Sequence, residues 1–532
     1  MRRLFSLRRS ARLTALGALC ALALSACGSS PRHFTIRRAP LISIFEAPLQ
    51  LAATPGPTLD LLRRLGVDDV RVVLRWSTVA PAPSSRHKPK RFNAAAPGAY
   101  PPAGWSVYDA IIRAAAARHV GVLLDISGPA PIWASGRRAP AGGVPGVWKP
   151  SAGEFRLFAR AVGIRYSGHY RPVGADSPLP RVSFWSVWNE PNLGEANLAP
   201  QTLPKTRVES SPRMYRALLD AAWTSLQQTG HSRDTILMGE LAPYGVEVMN
   251  PGNFGYMVPM RFVRALYCVD ASLHPLRGSA AAQRGCPTTA AGSSQFAAEN
   301  PALFQASGFA VHPYPSVATP PNVVLPDGPD FVYLATLPRL ERFLDSVTRL
   351  YGHARQLVLY STEYGYFTNP PLSGAASPQL AASYLNWAEY LTWRTPRLRS
   401  FDQYLLVDPQ PGGPSNFVTG LEFFGGAPKP SYAAFRLPIY LPATRQRSGQ
   451  SLEVWGCVRP AHYIRHPRAV RIELQAEGRG AFKTVASTPL TDHDGYFDTS
   501  VKFPASGRVR LAWSYPGGQT IQSRLVAIRT SG

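Results

Sequence analysis

Eight short apolar segments recur between residues 41 and 407, and longer amphipathic stretches separate them. Short apolar runs bounded by turn residues are typical of buried β-strands, whereas the amphipathic stretches have the spacing of helices that pack on one face. Regular alternation of the two predicts a parallel sheet in which a helix follows each strand. The predicted strands span residues 41–45, 70–74, 120–126, 182–188, 236–240, 308–311, 357–361 and 401–407.

An open doubly wound sheet and a closed barrel both fit this alternation. A dinucleotide-binding open sheet places a Gly-x-Gly-x-x-Gly motif after its first strand, and this sequence has no such motif there. We therefore predict an α/β fold with a (β/α)8 TIM barrel over residues 41–437. The long predicted loops at 80–104 and 241–306 follow strands, on the face where such barrels carry their active sites.

The pattern changes after the predicted barrel. Residues 438–532 contain short segments of alternating apolar and polar residues, separated by turn signals such as Asp494-Gly495. This pattern predicts a small immunoglobulin-like β-sandwich. Its role stays open between packing against the barrel and binding carbohydrate.

The first 27 residues have the pattern of a secretory signal peptide. Five arginines between residues 2 and 12 precede an apolar run at 13–24, which is too short to span a bilayer stably. The run ends in Leu24-Ser25-Ala26-Cys27, which resembles a bacterial lipobox and implies lipid attachment at Cys27. We predict a tether at 28–40 and a location on the extracellular face of the bacterial cell membrane. An ordinary signal peptide, which would give a secreted protein, is the alternative.

Three cysteines follow Cys27 in the chain. Export permits disulfides, and we expect Cys268 and Cys286 to pair because their bond would close a single loop. Cys457 lies far along the chain, in a predicted strand, and would be left over. Three unpaired cysteines are the alternative, because spacing alone does not fix the pairing.

The chain is strongly basic, with 57 Lys and Arg against 32 Asp and Glu and a formal charge of +25. The charge without the five arginines of the signal segment is +20, which favours contact with polyanions such as anionic lipids or acidic glycans. The basic residues are spread along the chain without a basic run or a nucleic-acid-binding motif. We interpret them as an arginine-rich exposed surface, and we predict a monomer that does not bind nucleic acid.

A carboxylate stands at the end of the fourth predicted strand, in Phe184-Trp-Ser-Val-Trp-Asn-Glu-Pro-Asn192. Pro191 cannot donate a ladder hydrogen bond, so Asn189 and Glu190 lie at the C-terminal lip of the strand. The neighbouring tryptophans would desolvate Glu190 and raise its pKa, as a general acid requires. An Asn-Glu pair can also make only capping hydrogen bonds, so this motif alone leaves the function open.

A second carboxylate, Glu363, ends the seventh predicted strand in Leu357-Val-Leu-Tyr-Ser-Thr-Glu-Tyr-Gly365. Side chains at the C-terminal ends of different barrel strands converge over the barrel mouth. A retaining glycosidase needs two carboxyl groups about 5–5.5 Å apart, one as nucleophile and one as acid/base. The two motifs together therefore predict the catalytic pair of a glycosidase.

With these motifs, the chain resembles clan A glycoside hydrolases, especially families 5 and 39. The resemblance covers residues 40–437 and implies that Glu190 is the acid/base, that Glu363 is the nucleophile, and that the reaction retains configuration. It also implies a substrate-binding role for four further residues, with Asn189 and His312 placed to contact substrate and with Tyr314 and Arg71 beside the nucleophile. The sequence departs from the family at the eighth strand, where many relatives have a tryptophan that floors the sugar subsite and this chain offers Tyr404 instead. We add Trp76, which follows the second strand, as a candidate for stacking on a sugar.

Several assignments have competitors. Arg75 competes with Arg71, since both lie on one face of the same strand, and Glu422 is an alternative carboxylate. Trp133 and Trp148 are further cleft candidates, and Asp125 could bind a hydroxyl or a backbone amide. No zinc-ligand spacing or phosphate loop is present in the sequence, so we predict no metal and no cofactor. Besides a hydrolase, we considered a transglycosylase of envelope glycan and a noncatalytic glycan-binding lipoprotein.

Overall fold

A computed structural model describes residues 40–203, 205–246, 254–326, 328, 330–413, 415–464, 469–477, 480–515 and 518–531. The predicted signal peptide, Cys27 and nearly all of the predicted tether therefore lie outside the described residues. Arg38–Gly532 forms one compact unit. Within it, parallel strands form a single sheet in the order β7-β6-β5-β4-β3-β2-β1-β8. These strands are β1 Ile42–Glu46, β2 Asp69–Arg75, β3 Gly121–Ser127, β4 Phe184–Val187, β5 Thr235–Leu241, β6 Gly308–Val311, β7 Val358–Ser361 and β8 Ser400–Tyr404.

The sheet closes into a barrel between β7 and β8. Leu359 and Leu398 form a parallel bridge there, and Tyr404 N donates to Tyr364 O at 2.8 Å. The predicted (β/α)8 barrel followed by a β domain is confirmed. The helices are α1 Pro48–Ala53, α2 Pro55–Arg64, α3 Trp76–Val79, α4 Pro102–Ala116, α5 Ala152–Arg165, α6 Ser211–Gln228, α7 Pro259–Leu266, α8 Gly278–Gln283, α9 Ala290–Glu299, α10 Pro301–Gln305, α11 Leu337–Leu350, α12 Pro378–Arg394 and α13 Pro430–Arg436.

Alternation along each strand divides its side chains between two cores. Ile44, Leu123, Phe184, Leu237 and Ala310 form a small buried cluster of their own, contributed by five different strands. A much larger cluster contains side chains from both the strands and the helices. Because successive strand residues point to opposite faces, every strand places about half of its side chains toward the barrel axis, where they can reach the mouth.

The C-terminal part of the chain is a β-sandwich. One sheet has the order β10-β17-β15-β12-β13 with β16 paired to β15, and the other has the order β14-β11-β9. Apolar side chains of both sheets, including Val454 and Ile472, share one core, which is the layered arrangement that the alternating pattern predicts. The strands are β9 Ile439–Tyr440, β10 Arg445–Arg447, β11 Leu452–Cys457, β12 Val470–Ala476, β13 Lys483–Thr488, β14 Tyr496–Val501, β15 Gly507–Ser514, β16 Thr520–Gln522 and β17 Val526–Ser531.

A buried ion pair joins the sandwich to the barrel. Arg459 of the sandwich donates to Glu389 of α12 at 2.5 Å, and the Tyr496 hydroxyl donates to the same carboxylate at 2.9 Å. Arg459 also donates to the Phe435 carbonyl at 2.5 Å and lies over the ring of that residue. The sandwich thus packs tightly on the barrel, and carbohydrate binding by it stays an open alternative.

The insertion between β5 and β6 is fastened at several points. Cys268 and Cys286 form a disulfide, while Cys457 is buried and unpaired. The buried guanidinium of Arg216 donates to the carbonyls of Ala265, Leu266, Arg284 and Gly285, at the ends of α7 and α8. A guanidinium at helix C-termini satisfies carbonyls that the helices leave free.

None of the helices in the described part of the chain is both long enough and apolar enough to cross a membrane.

Candidate active site

All eight barrel strands contribute a polar residue to one buried cluster, in or just after the strand. Arg71 of β2 lies at its centre. Nη1 of Arg71 donates to Glu46 and Glu363 at 2.7 Å each, and Nη2 donates to Asn189 at 2.7 Å and to Glu240 at 2.8 Å. A guanidinium presents several donors in a rigid plane, which allows one side chain to hold groups from four strands at once.

Glu363 follows β7 and accepts hydrogen bonds on both of its oxygens. Arg71 donates to Oε1, and the Tyr314 hydroxyl donates to Oε2 at 3.2 Å. The side chain is 10% exposed, so one edge of the carboxylate remains accessible from the barrel mouth. Two donors hold Glu363 in a fixed orientation, as the position of a nucleophile requires.

Glu190 follows β4 and contacts His312, which follows β6. His312 Nδ1 lies 2.9 Å from Glu190 Oε1, and Nε2 lies 2.7 Å from Glu240 Oε2. Burial raises the pKa of Glu190 despite the hydrogen bond from His312. Although burial alone would lower the pKa of His312, Glu363, Glu190 and Glu240 together hold it well above its usual range. Burial thus favours the neutral form of Glu190, whereas the surrounding carboxylates favour the charged form of His312.

The acids deeper in the cluster divide into neutral and ionised groups. Burial raises the pKa of Glu46 to about 8 and that of Asp125 to about 7, although Arg71 opposes both shifts. For Glu240, the attraction of Arg71 and the bonds from His312 outweigh burial and hold the pKa at about 2. Asp402 in β8 has a strongly raised pKa because it is buried close to Glu46 and Glu363. Near neutral pH, Arg71 and His312⁺ thus face few ionised carboxylates, and little net charge is buried.

The backbone is strained at two acidic residues of the cluster, Glu190 and Glu240. Glu190 has φ 42° and Glu240 has φ 50°, both in the left-handed region that non-glycine residues rarely adopt. Glu190 N donates to the Glu240 carbonyl at 2.9 Å, which couples the two strained positions. Strain of this kind costs on the order of 1–3 kcal/mol per residue and concentrates at functional sites, where surrounding contacts impose the conformation.

One oxygen of Glu190, one nitrogen of His312 and one oxygen of Glu363 all lie within 4.8 Å of one another. Two carboxylates and an imidazole can in principle ligate a metal ion. A metal ion is disfavoured here, because both nitrogens of His312 already contact carboxylates and the positive charges of His312 and Arg71 would repel a cation. The same separation suits two carboxyl groups that act on one atom between them.

The structure brings Asn189, Glu190, His312, Tyr314, Glu363 and Arg71 together, as the sequence predicts for the site. Tyr404 lies beside them, with its ring 6.5 Å from the ring of Tyr314. Trp76 lies elsewhere, because it begins α3 and points into the layer between strands and helices. It is 0% exposed and stacks on Phe158, so it cannot contact a ligand in this conformation.

Among the competing candidates, Asp125 belongs to the cluster and lies 3.5 Å from Arg71, whereas the others lie apart from it. Trp133 donates to the Pro81 carbonyl at 3.0 Å, and Trp148 packs against Phe254. Both belong to loops of the mouth. Glu422 bridges to Val407 beyond β8. Arg75 is exposed and lies two positions beyond Val73, on the strand face of Arg71.

Sequence reasoning missed three acids of the cluster, namely Glu46, Glu240 and Asp402. Each is a single carboxylate within a largely buried strand, in Ile42–Glu46, Thr235–Leu241 and Ser400–Tyr404. A lone acid in a strand that is otherwise buried was a usable signal, because burying a charge is costly unless a partner compensates it. The partner, Arg71, was already identified, but its number of contacts was not foreseeable from the sequence.

No protein-family model matches the chain, and no curated protein sequence matches it. Among solved structures, it is similar to an endo-β-1,4-mannanase from Thermotoga petrophila, with 10% identity, a TM-score of 0.36 and 94% of this chain and 99% of that chain covered. A GH39 enzyme from Xanthomonas axonopodis pv. citri has 11% identity and a TM-score of 0.43, with 88% and 93% covered. A family 1 β-glucosidase from Thermotoga maritima has 14% identity and a TM-score of 0.38, with 66% and 76% covered.

Proposed function

We propose that this chain is a retaining glycoside hydrolase that cleaves β-linked O-glycosidic bonds of a polysaccharide or oligosaccharide. The observation that carries the proposal is the pair Glu190 and Glu363 at the barrel mouth, with one oxygen of each within 4.8 Å of the other. Retaining enzymes have carboxyl groups about 5–5.5 Å apart, whereas inverting enzymes leave roughly 6.5–9.5 Å for a water molecule. The separation therefore favours retention.

The two carboxyl groups differ in the way that double displacement requires. Glu363 is held by Arg71 and Tyr314 and attacks the anomeric carbon, forming a glycosyl ester. Glu190, whose pKa is raised by burial, gives its proton to the departing oxygen as the glycosidic bond breaks. Glu190 then takes a proton from water, and this water attacks the anomeric carbon and releases Glu363. The roles follow from opposite environments of two similar side chains.

Trapping of the intermediate tests the proposal directly. The protein is incubated with a panel of activated aryl glycosides of both anomeric configurations and with their 2-deoxy-2-fluoro analogues. We expect hydrolysis of at least one β-glycoside and covalent labelling of the peptide that contains Glu363, detected by mass spectrometry. Glu190→Gln and Glu363→Gln should each lose at least about a hundredfold in kcat/KM. Glu299→Gln, at an exposed carboxylate in α9, is the matched control and should keep full activity.

Chemical rescue with azide distinguishes the acid/base residue from the nucleophile. Azide should restore turnover of an activated substrate to Glu190→Ala with a β-glycosyl azide product, and to Glu363→Ala with an α-glycosyl azide product. A label on another residue, or full activity in either glutamine variant, would contradict the assignment. Glycosyl transfer to added sugar in place of hydrolysis would indicate a transglycosylase, and binding without turnover would indicate a noncatalytic glycan-binding protein.

We also propose that the mature protein is anchored by a lipid on Cys27 at the extracellular face of the bacterial cell membrane. The support is the sequence Leu24-Ser25-Ala26-Cys27 after a basic and apolar segment. Cells fed an alkyne-bearing fatty acid should yield a labelled, membrane-associated protein, and Cys27→Ser should remove the label. A label that persists in Cys27→Ser would contradict this assignment.

A further inference from the structure

Two loops form a continuous wall on one side of the barrel mouth. The first, residues 76–101, follows β2, and the second, residues 128–151, follows β3. Ser77 N donates to the Pro129 carbonyl at 3.0 Å, and Ile132 N donates to the Pro83 carbonyl at 2.7 Å. Lys149 N donates to the Ala199 carbonyl at 2.7 Å, which ties the wall to the neighbouring loop after β4. The wall is thus fixed by backbone hydrogen bonds and adjoins the loop that carries Glu190.

The wall has only positive charges. The two segments contain seven Lys and Arg residues and no Asp or Glu, whereas the whole chain has 57 basic and 32 acidic residues. Lys88 pairs with Glu154 of α5, and the other six side chains are exposed and have no acidic partner within the described residues. These six are Arg86, Lys90, Arg91, Arg137, Arg138 and Lys149.

Arg75 lies at the base of the wall. Val70, Val72, Leu74 and Trp76 belong to the core cluster between strands and helices, so the opposite face of β2 carries Arg71, Val73 and Arg75. Arg71 is buried in the catalytic cluster, and Arg75 is exposed at the C-terminal end of the strand. In the described chain, its guanidinium has no acidic partner. Two positions along a strand correspond to roughly 7 Å, about the width of one sugar ring.

We propose that Arg75, with the wall formed by residues 76–101 and 128–151, binds anionic groups of the substrate, so that the glycan is acidic and carries carboxylate or sulfate substituents. A guanidinium binds such groups through two parallel charge-assisted hydrogen bonds. The exposed lysines and arginines above it add a positive field that attracts a polyanion to the mouth. This inference rests on the proposed function, because it assumes that the glycan lies at the proposed active site.

Binding measured without turnover tests this inference separately from catalysis. Glu363→Gln and the double variant Glu363→Gln/Arg75→Gln are titrated calorimetrically, as the chain from residue 28 onward, which contains the compact unit Arg38–Gly532. The probes are β-linked oligoglucuronate, oligomannuronate and chondroitin sulfate fragments, each beside a carboxyl-reduced or desulfated counterpart. At least one acidic probe should bind more tightly than its neutral counterpart, and Arg75→Gln should weaken that binding about tenfold to a hundredfold. Arg118→Gln, at a surface arginine of the opposite barrel rim, is the control and should change nothing.

The pattern across probes identifies the anion. Preference for the uronates over the sulfated fragments assigns a carboxylate, and the reverse assigns a sulfate. Arg75→Lys should recover part of the affinity, and rising salt should weaken acidic probes alone. Equal binding of acidic and neutral probes, or an unchanged affinity in a folded Arg75→Gln, would overturn the inference. If acidic probes bind tightly but the parent chain hydrolyses none of them, the hydrolase proposal fails while this inference stands.

Discussion

Two buried arginines in this molecule have opposite surroundings. Arg459 faces one carboxylate, Glu389, at the contact between sandwich and barrel, and a tyrosine hydroxyl completes the set. Arg71 lies within 3.5 Å of four carboxylates at the barrel mouth, those of Glu46, Asp125, Glu240 and Glu363. The first cluster is balanced in charge and closed. The second has an excess of acid and opens toward solvent at Glu190 and Glu363.

The difference distinguishes an ion pair that only stabilises the fold from a cluster in which protons can be gained and lost. A buried pair with matched charges can form with both groups ionised, although burial raises the pKa of Glu389 against the attraction of Arg459. An acid-rich cluster can be buried only if some members hold protons, and the raised pKa values of Glu46 and Asp125 show which members do. Such a cluster keeps a proton available where a substrate arrives, which a balanced pair cannot do.

Arg71→Met should give the largest effect. We expect kcat/KM to fall by about a thousandfold or more, because both the orientation of Glu363 and the charge balance depend on this guanidinium. Without it, the pKa of Glu240 also rises, so the folded state binds more protons than the unfolded state between about pH 4 and 8. The free energy of unfolding should therefore decrease with rising pH more steeply than in the parent. Urea unfolding at pH 5 and pH 8 measures this slope, and equal slopes would contradict the acid-rich description.

Arg459→Met should lower the free energy of unfolding by about 3–5 kcal/mol, because Glu389 loses its buried partner. The kcat/KM of the folded fraction should stay at the parent value, since the pair lies away from the mouth. Arg118→Met removes an exposed pair with Asp60 and should leave stability nearly unchanged. Chemical denaturation of the three proteins provides the measurement. Loss of activity in folded Arg459→Met would show that the two clusters are coupled.

A smaller effect concerns the alkaline limb of the pH–rate profile. The catalytic proton of Glu190 is present below its raised pKa and is lost as pH rises through that value, so kcat/KM should fall about tenfold per pH unit beyond it. Substrates with a dinitrophenol leaving group need no proton, and their glycosylation rate should keep its value over the same pH range. A limb that is identical for good and poor leaving groups would remove Glu190 from the role of acid.

The barrel and the convergence of Glu190 and Glu363 at its mouth were predictable from local patterns. The predicted strand at 308–311 agrees with Gly308–Val311, and that at 357–361 begins one residue before Val358–Ser361. Apolar runs that end in Glu190 and Glu363 had to place carboxylates at one end of the sheet, because all strands of such a barrel are parallel. The alternation also indicated a C-terminal sandwich, although it missed the short strands β9, β10 and β16.

The other contacts of the polar cluster could not be predicted, because they join residues that are far apart in sequence. The network of Arg71 involves residues up to 292 positions away, and no local pattern encodes such contacts. The prediction that Trp76 stacks on a sugar failed for a local reason. Successive residues of β2 point to opposite faces, so a shift of one position moves a side chain from the mouth to the core layer. The neighbouring Arg75, left as a competitor at the sequence level, has the exposed position instead.

The fastening of the β5–β6 insertion has a consequence for how the protein is made and degraded. Its helices α7–α10 are held partly by the disulfide between Cys268 and Cys286, which a reducing cytosol would keep open. Protein produced there should be cut by proteases between these two cysteines, at sites that the disulfide-bonded protein shields. Resistance to digestion thus becomes a readout of the compartment in which a given preparation matured.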